Sequence, residues 1–167
     1  MPEAEEIRRL LGLEPLEMEG GFYRETYRAG GRIAAEALPP AYRSGRSFST
    51  AIYYLLTPES FSTLHRLPSD EIFLFHLGDP VEMLQLRPDG GGEVVRLGPG
   101  IEAGDTLQAV VPGGVWQGCR LAPGGRYALL SVIVAPGFEF EDYEHARREE
   151  LLVQFPAFRE RILALTR

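Results

Sequence analysis

The chain contains no lysine and no asparagine, one cysteine, one tryptophan and three histidines. Each scarcity removes a class of chemistry. Without lysine, no Schiff base can form with a carbonyl substrate. The lone Cys119 makes neither an intrachain disulfide nor a Cys-x-x-Cys pair. Positive charge is in the minority: 17 basic residues, all arginine, stand against 24 acidic ones, for a formal net charge of -7. An acidic chain lacks the basic face that a nucleic-acid polymer requires, so none is expected as a partner. No apolar run approaches the roughly 20 residues that span a bilayer, and the N-terminus carries no secretory h-region. The expectation is a cytoplasmic protein without a membrane partner. A Gly-x-Ser-x-Gly elbow, a P-loop and a dinucleotide fingerprint are also missing.

What is present describes a turn-rich β protein. A length of 167 residues with 44% hydrophobic and 25% charged residues suits one globular domain over residues 1–167. Gly at 19 and Pro at 13 make up about a fifth of the chain, which favours many short strands. Residues 2–12 read as a short helix with Ala4, Ile7, Leu10 and Leu11 on one face and Gly12 as its stop. Residues 20–28 read as an extended segment after a Gly-Gly turn, and 29–46 as a long surface loop. Strands are expected at 48–56, 61–67, 71–77, 81–87, 93–97, 107–111, 115–121 and 127–134, separated by Pro, Gly and Asp. Pro88-Asp89-Gly90-Gly91-Gly92 marks a hairpin tip; no helix follows it, so it is no phosphate cradle. This spacing, with no helices between strands, predicts an antiparallel sandwich or barrel. Leu151, Phe155, Phe158 and Ile162 form a helical stripe at the C-terminal end, expected to pack on the outside.

Among the histidines, His145 lies in a charged run and reads as solvated, and His76, between Phe75 and Leu77, reads as partly buried and hydrogen-bonded. His65 stands apart because Glu71 follows it across the turn at Pro68-Ser69. Were the flanking strands paired as a hairpin, both side chains would share a face. A converging His and carboxylate suit general acid/base work or a metal site.

The spacing also carries a resemblance. Cupins have a first motif His-x-His, three or four residues, Glu, six residues, Gly; here His65, Leu67, Glu71 and Gly78 fall at those places, with Leu67 at the second His. Their second motif ends Pro-x-Gly-x-x-His; here Pro112, Gly114 and Gln117 correspond, with Gln117 at the His. Further runs, Gly20–Tyr27, Ser49–Leu56 and Val134–Phe140, resemble the small fifth cupin family, catalogued as a domain of unknown function. The resemblance implies an all-β jelly-roll barrel (a double-stranded β-helix), with a short N-terminal helix and a C-terminal helical segment. It also implies a homodimer and structural similarity to deoxysugar-nucleotide epimerases.

For the site, a typical cupin metal is held by three His and one Glu. Here His65, Glu71 and Gln117 would form a depleted set if a divalent transition metal bound; a neutral amide is a weak ligand, and no cofactor is the expectation. Without metal, His65 would act as base with Glu71 polarising it, and Gln117 and Gln108 would fix a small polar ligand. Arg24, with Tyr23, would reach over the barrel mouth toward an anionic group. Of the consecutive Tyr53 and Tyr54 only one faces inward, and Tyr53 is carried as a ligand contact. Three readings stand: a metal-independent isomerase or epimerase acting on a sugar-like or nucleotide-linked substrate, a metal-dependent cupin enzyme, and a non-catalytic binding module for a small molecule.

Overall fold

The computed structural model describes residues 3–167. Pro2, where the expected first helix begins, lies outside them; helix α1 is described over Ala4–Leu11. Gly12 ends it in the left-handed conformation, φ 62°, with its N–H donating to the carbonyls of Arg8 and Arg9. Ile7 is the buried residue of this helix, whereas Leu10, expected on the same face, is 62% exposed. At period 3.6, Ala4, Ile7 and Leu11 share the stripe and Leu10 lies at its edge.

The strands are β1 (Glu14–Pro15), β2 (Phe22–Arg28), β3 (Arg32–Ile33), β4 (Arg46–Ser47), β5 (Thr50–Leu56), β6 (Ser62–Arg66) and β7 (Asp70–Gly78). They continue with β8 (Val81–Leu86), β9 (Gly92–Leu97), β10 (Gln108–Val111), β11 (Trp116–Leu121), β12 (Ala128–Ala135) and β13 (Glu144–His145). One antiparallel sheet runs β1-β2-β5-β12-β7-β10 and the other β13-β6-β11-β8-β9, while β3 and β4 form a small ribbon. This is the all-β jelly-roll barrel that the resemblance implies. Tyr54, Phe73, Met83, Leu97 and Leu130 alternate inward along their strands and fill the space between the sheets.

Three further features depart from the sequence reading. First, β6 and β7 do not pair; they lie in opposite sheets. Pro68 and Ser69 turn a corner instead of a hairpin, and the loop from Pro112 seals it. Gly114 N–H donates to Leu67 carbonyl and Gly113 N–H to Asp70 Oδ1, each at 2.8 Å. A Cβ at Gly113 would come within 2.3 Å of the Pro68 carbonyl oxygen, so only glycine allows this approach. Second, the C-terminal stripe is not one helix. Pro156 interrupts it between α2 (Arg148–Gln154) and α3 (Arg159–Ala164). Its residues still pack outside the barrel, where Leu151, Phe155 and Ile162 join Leu64, Leu84 and Leu86 from the second sheet.

Third, the segment read as a surface loop holds Arg46, which is fully buried. Its guanidinium reaches both carboxylate oxygens of Asp142, Glu141 Oε1 at 2.9 Å, and Ser44. The pairing pins residues 141–142 against the barrel end. No helix of the described residues is long and apolar enough to cross a membrane.

Candidate functional site

His65 on β6 is 2% exposed and points into a cavity of about 200 Å³ inside the barrel. Its Nδ1 lies 2.7 Å from the Thr63 carbonyl oxygen, which fixes the hydrogen on Nδ1. The lone pair of Nε2 is thereby turned toward Gln117 of β11, whose Nε2 lies 3.0 Å away. The same amide nitrogen donates to Glu71 Oε1 of β7 at 3.2 Å. One neutral side chain thus spans from the imidazole to the carboxylate and links the two sheets. The resemblance singled out these three residues, and the barrel brings them together.

Their roles are wired differently from the expectation. Glu71 does not touch His65 directly; the backbone carbonyl of Thr63 orients the imidazole, and Gln117 stands between the two side chains. The carboxylate nearest to His65 belongs to Glu19, with Oε2 at 3.7 Å from Nε2. Glu19 arrives on the turn between β1 and β2, and its other oxygen accepts a hydrogen bond from Ser62 Oγ at 2.6 Å. Sequence reasoning missed Glu19. The one signal was its place directly before Gly20-Gly21, a turn in which both glycines have positive φ. Tyr143 stacks on the His65 ring at 4.8 Å between centroids, and its hydroxyl donates to the Met18 carbonyl.

Burial is the main cause that raises the Glu71 carboxyl, to about 7, with Glu19 adding to it and His65 and Gln117 opposing. Burial likewise pushes the hydroxyl of Tyr54 and the thiol of Cys119 upward, so both stay protonated near neutrality and Cys119 is no nucleophile. Apolar walls from Leu16, Ile52, Leu67, Phe73, Val132 and Phe138 surround these polar groups.

Of the other candidates, Tyr23 lines the cavity. Arg24, Tyr53 and Gln108 do not, and the pleat explains all three. On β5, Thr50, Ile52 and Tyr54 face inward, so Tyr53 points outside, where Arg24 approaches its ring at 5.9 Å. On β10, Ala109 and Val111 are the inward residues and Gln108 is exposed. Tyr54, not Tyr53, is the inward tyrosine, and it donates to the Gly20 carbonyl at 2.8 Å. The arginine at the mouth is Arg28, one turn of the pleat beyond the β2 bulge at residues 25–27. His76 is hydrogen-bonded as expected, to Ser131 Oγ at 2.6 Å, but is exposed on the outer sheet face. His145 is exposed on β13.

The donor set does not suit the metal that the resemblance implies. In the states that bind a metal, a neutral imidazole and an ionised carboxylate, the Gln117 amide directs its two N–H groups at the very lone pairs a metal would need. Leu67 supplies no donor atom. Among the described residues no three His, Cys, Asp or Glu side chains converge as a metal-holding group. Two strong ligands are too few for a first-row ion.

Known proteins bear on the fold and the motifs together. The family model described as "Cupin superfamily (DUF985)" matches residues 5–146. The uncharacterized protein YML079W of Saccharomyces cerevisiae is 35% identical over 144 residues, 80% of this chain and 71% of that protein. A hypothetical protein from Leishmania major superposes with a TM-score of 0.87 at 33% identity, covering 99% of each chain. Protein SO0799 from Shewanella oneidensis gives 0.86 at 33% identity, over 100% of this chain and 99% of that one. Oxalate decarboxylase from Bacillus subtilis gives 0.52 at 15% identity, over 88% of this chain and 35% of that one, a likeness of fold alone. With both degenerate motifs folded onto facing strands and the family model matched from α1 to β13, the chain belongs to the cupin superfamily, in the family described as DUF985.

Proposed function

We propose that the barrel binds one small, hydroxyl-bearing molecule and moves a proton on it without a metal, chemistry of the isomerase or epimerase class. The observation that carries this reading is the buried His65, held in one tautomer by Thr63, with Glu19 Oε2 3.7 Å from its Nε2 and Glu71 joined to it through the Gln117 amide, in an otherwise apolar cavity. His65 takes the proton; Glu19 stabilises the imidazolium, and the Glu71 carboxyl, raised to about 7, is able to hold a proton at neutral pH. The volume is below the roughly 300–1,000 Å³ usual for drug-sized ligands, so a sugar-like body fits inside whereas a nucleotide would extend through the mouth. The test is solvent-deuterium exchange into small hydroxylated carbonyl compounds, followed by NMR with chelator-treated protein. Exchange by the parent protein and none by His65→Ala is the expected result. Equal exchange by both proteins, or exchange that vanishes on chelation and returns with metal, sinks the reading.

A second reading, a binding module without turnover, is favoured by one contact: Gln117 already donates to His65 Nε2, so protonation there must first displace it. Saturable binding with no exchange into any bound compound would select it.

The same proposal includes the homodimer. Beyond the part covered by α1, the outer face of the six-stranded sheet presents Ala51, Ile72, Leu74 and Ile133 half-buried, with Val110 49% exposed. A sheet face that meets water is normally polar, and a contiguous apolar one marks an interface. A second copy placed by a two-fold axis is the simplest cover.

A further inference from the structure

The charge of the ligand is written in the lining of the cavity. Four carboxylates face it, Glu19, Glu25, Glu71 and Glu139, and Arg28 is the arginine among the described lining residues. A guanidinium has five N–H donors, and all five of Arg28 are committed. Nε and one terminal nitrogen grip both oxygens of Glu25 at 3.0 and 2.9 Å; the remaining N–H groups reach Glu139 Oε1 at 2.7 Å, Ser47 Oγ at 3.3 Å and the Phe138 carbonyl at 3.1 Å. An incoming phosphate or carboxylate would find no donor there without breaking this cluster.

Acceptors, by contrast, are left over. Glu71 is 5% exposed, yet its carboxylate receives a hydrogen bond from Gln117 alone among the described residues. Gln117 Oε1 is buried with no donor but does not line the cavity. Buried polar groups are almost always satisfied, so the Glu71 carboxylate, which does line it, points to a ligand that brings hydrogens. Aromatic faces stand nearby: Tyr143 over His65, with Phe138 and Phe140 edge-to-face at 5.2 Å along the wall. Such faces attract a cation as well as an apolar stem.

We infer that the barrel takes a small ligand bearing a protonated amine, seated between the Glu19 and Glu71 carboxylates, and rejects phosphorylated and carboxylated analogues. This rests on the small-molecule reading above and assigns the substrate class within it.

The test is a panel matched in size and differing in charge: cyclohexylamine, cyclohexanol and cyclohexanecarboxylate, and glucosamine, glucose and glucose 6-phosphate. Each is titrated into the protein while the ring resonances of His65 are followed by NMR. The amine of a set should bind at least tenfold more tightly than its neutral analogue, and the anion should give no saturable shift. Glu19→Gln and Glu71→Gln, isosteric changes checked for folding by circular dichroism, should each weaken amine binding by about tenfold, and by more than they weaken binding of the neutral analogue. Anions or neutral compounds that bind as tightly as the amines, or amine binding indifferent to both substitutions, would overturn the charge assignment while leaving the small-molecule reading intact. A panel in which no member of any charge moves His65 would overturn both.

Discussion

Gln117 occupies a position where the superfamily motif has an imidazole, and its amide satisfies two neighbours that would otherwise lack donors. Gln117→Leu should therefore cost about 1–3 kcal/mol of stability, the desolvation penalty of groups left unpaired, measurable by urea unfolding. Glu71 sets a pH dependence of unusual sign. Its carboxyl lies near 4.5 in the unfolded chain and at about 7 in the fold. Between those values the unfolded chain releases the proton first, so folding stability falls as pH rises through the window and levels off above it, by up to about 3 kcal/mol. Glu71→Gln should abolish that decline when melts at pH 4.5 and pH 8 are compared. The metal argument can be run backwards: Leu67→His with Gln117→His restores three imidazoles and one carboxylate to the motif positions, and elemental analysis should then find about one zinc per chain where the parent retains none. His65, Glu71 and Gln117 were legible because motif spacing survives substitution. Glu19 was not, since it meets Ser62 from 43 residues away, a contact no local pattern encodes. Which of Tyr53 and Tyr54 faces inward was not legible, because adjacent residues of one type leave the pleat's phase undetermined.

At the scale of elements, the strands were largely readable because Pro, Gly and Asp punctuate them, and the hairpin at residues 88–92 joins β8 to β9 with Leu86 opposite Gly92. The corner between β6 and β7 was not readable, because Pro-Ser-Asp reads equally well as a hairpin turn; what decides it is the distant Gly113 packing on Pro68. The Gly-, Ala- and Arg-rich segment before β5 misled for a related reason. Arginine is seldom buried, and Arg46 is buried only because Asp142, 96 residues on, meets it. Arg46→Met should strand Asp142, which is 3% exposed, without its partner, at about 3–5 kcal/mol. Urea unfolding would measure the loss, and hydrogen exchange should show residues 136–145 opening first.

For the whole molecule, the paired sheets follow from composition and turn spacing, while the assembly does not. Whether an outward apolar strand face meets water or a copy of itself is set by surfaces no single strand reveals. Sedimentation of the parent should give twice the chain mass, and Leu74→Asp, placed on the open face of β7, should shift it to the chain mass with the fold intact. The corner at Pro68 has one more effect. Because it sends β6 and β7 to opposite sheets, His65 and Glu71 face each other across a seam closed here by the Gln117 amide. A molecule that grips both sides would act as a rivet through the barrel wall. Its arrival should slow amide exchange in β6 and β7 together, although those two strands share no ladder through which stiffness could pass.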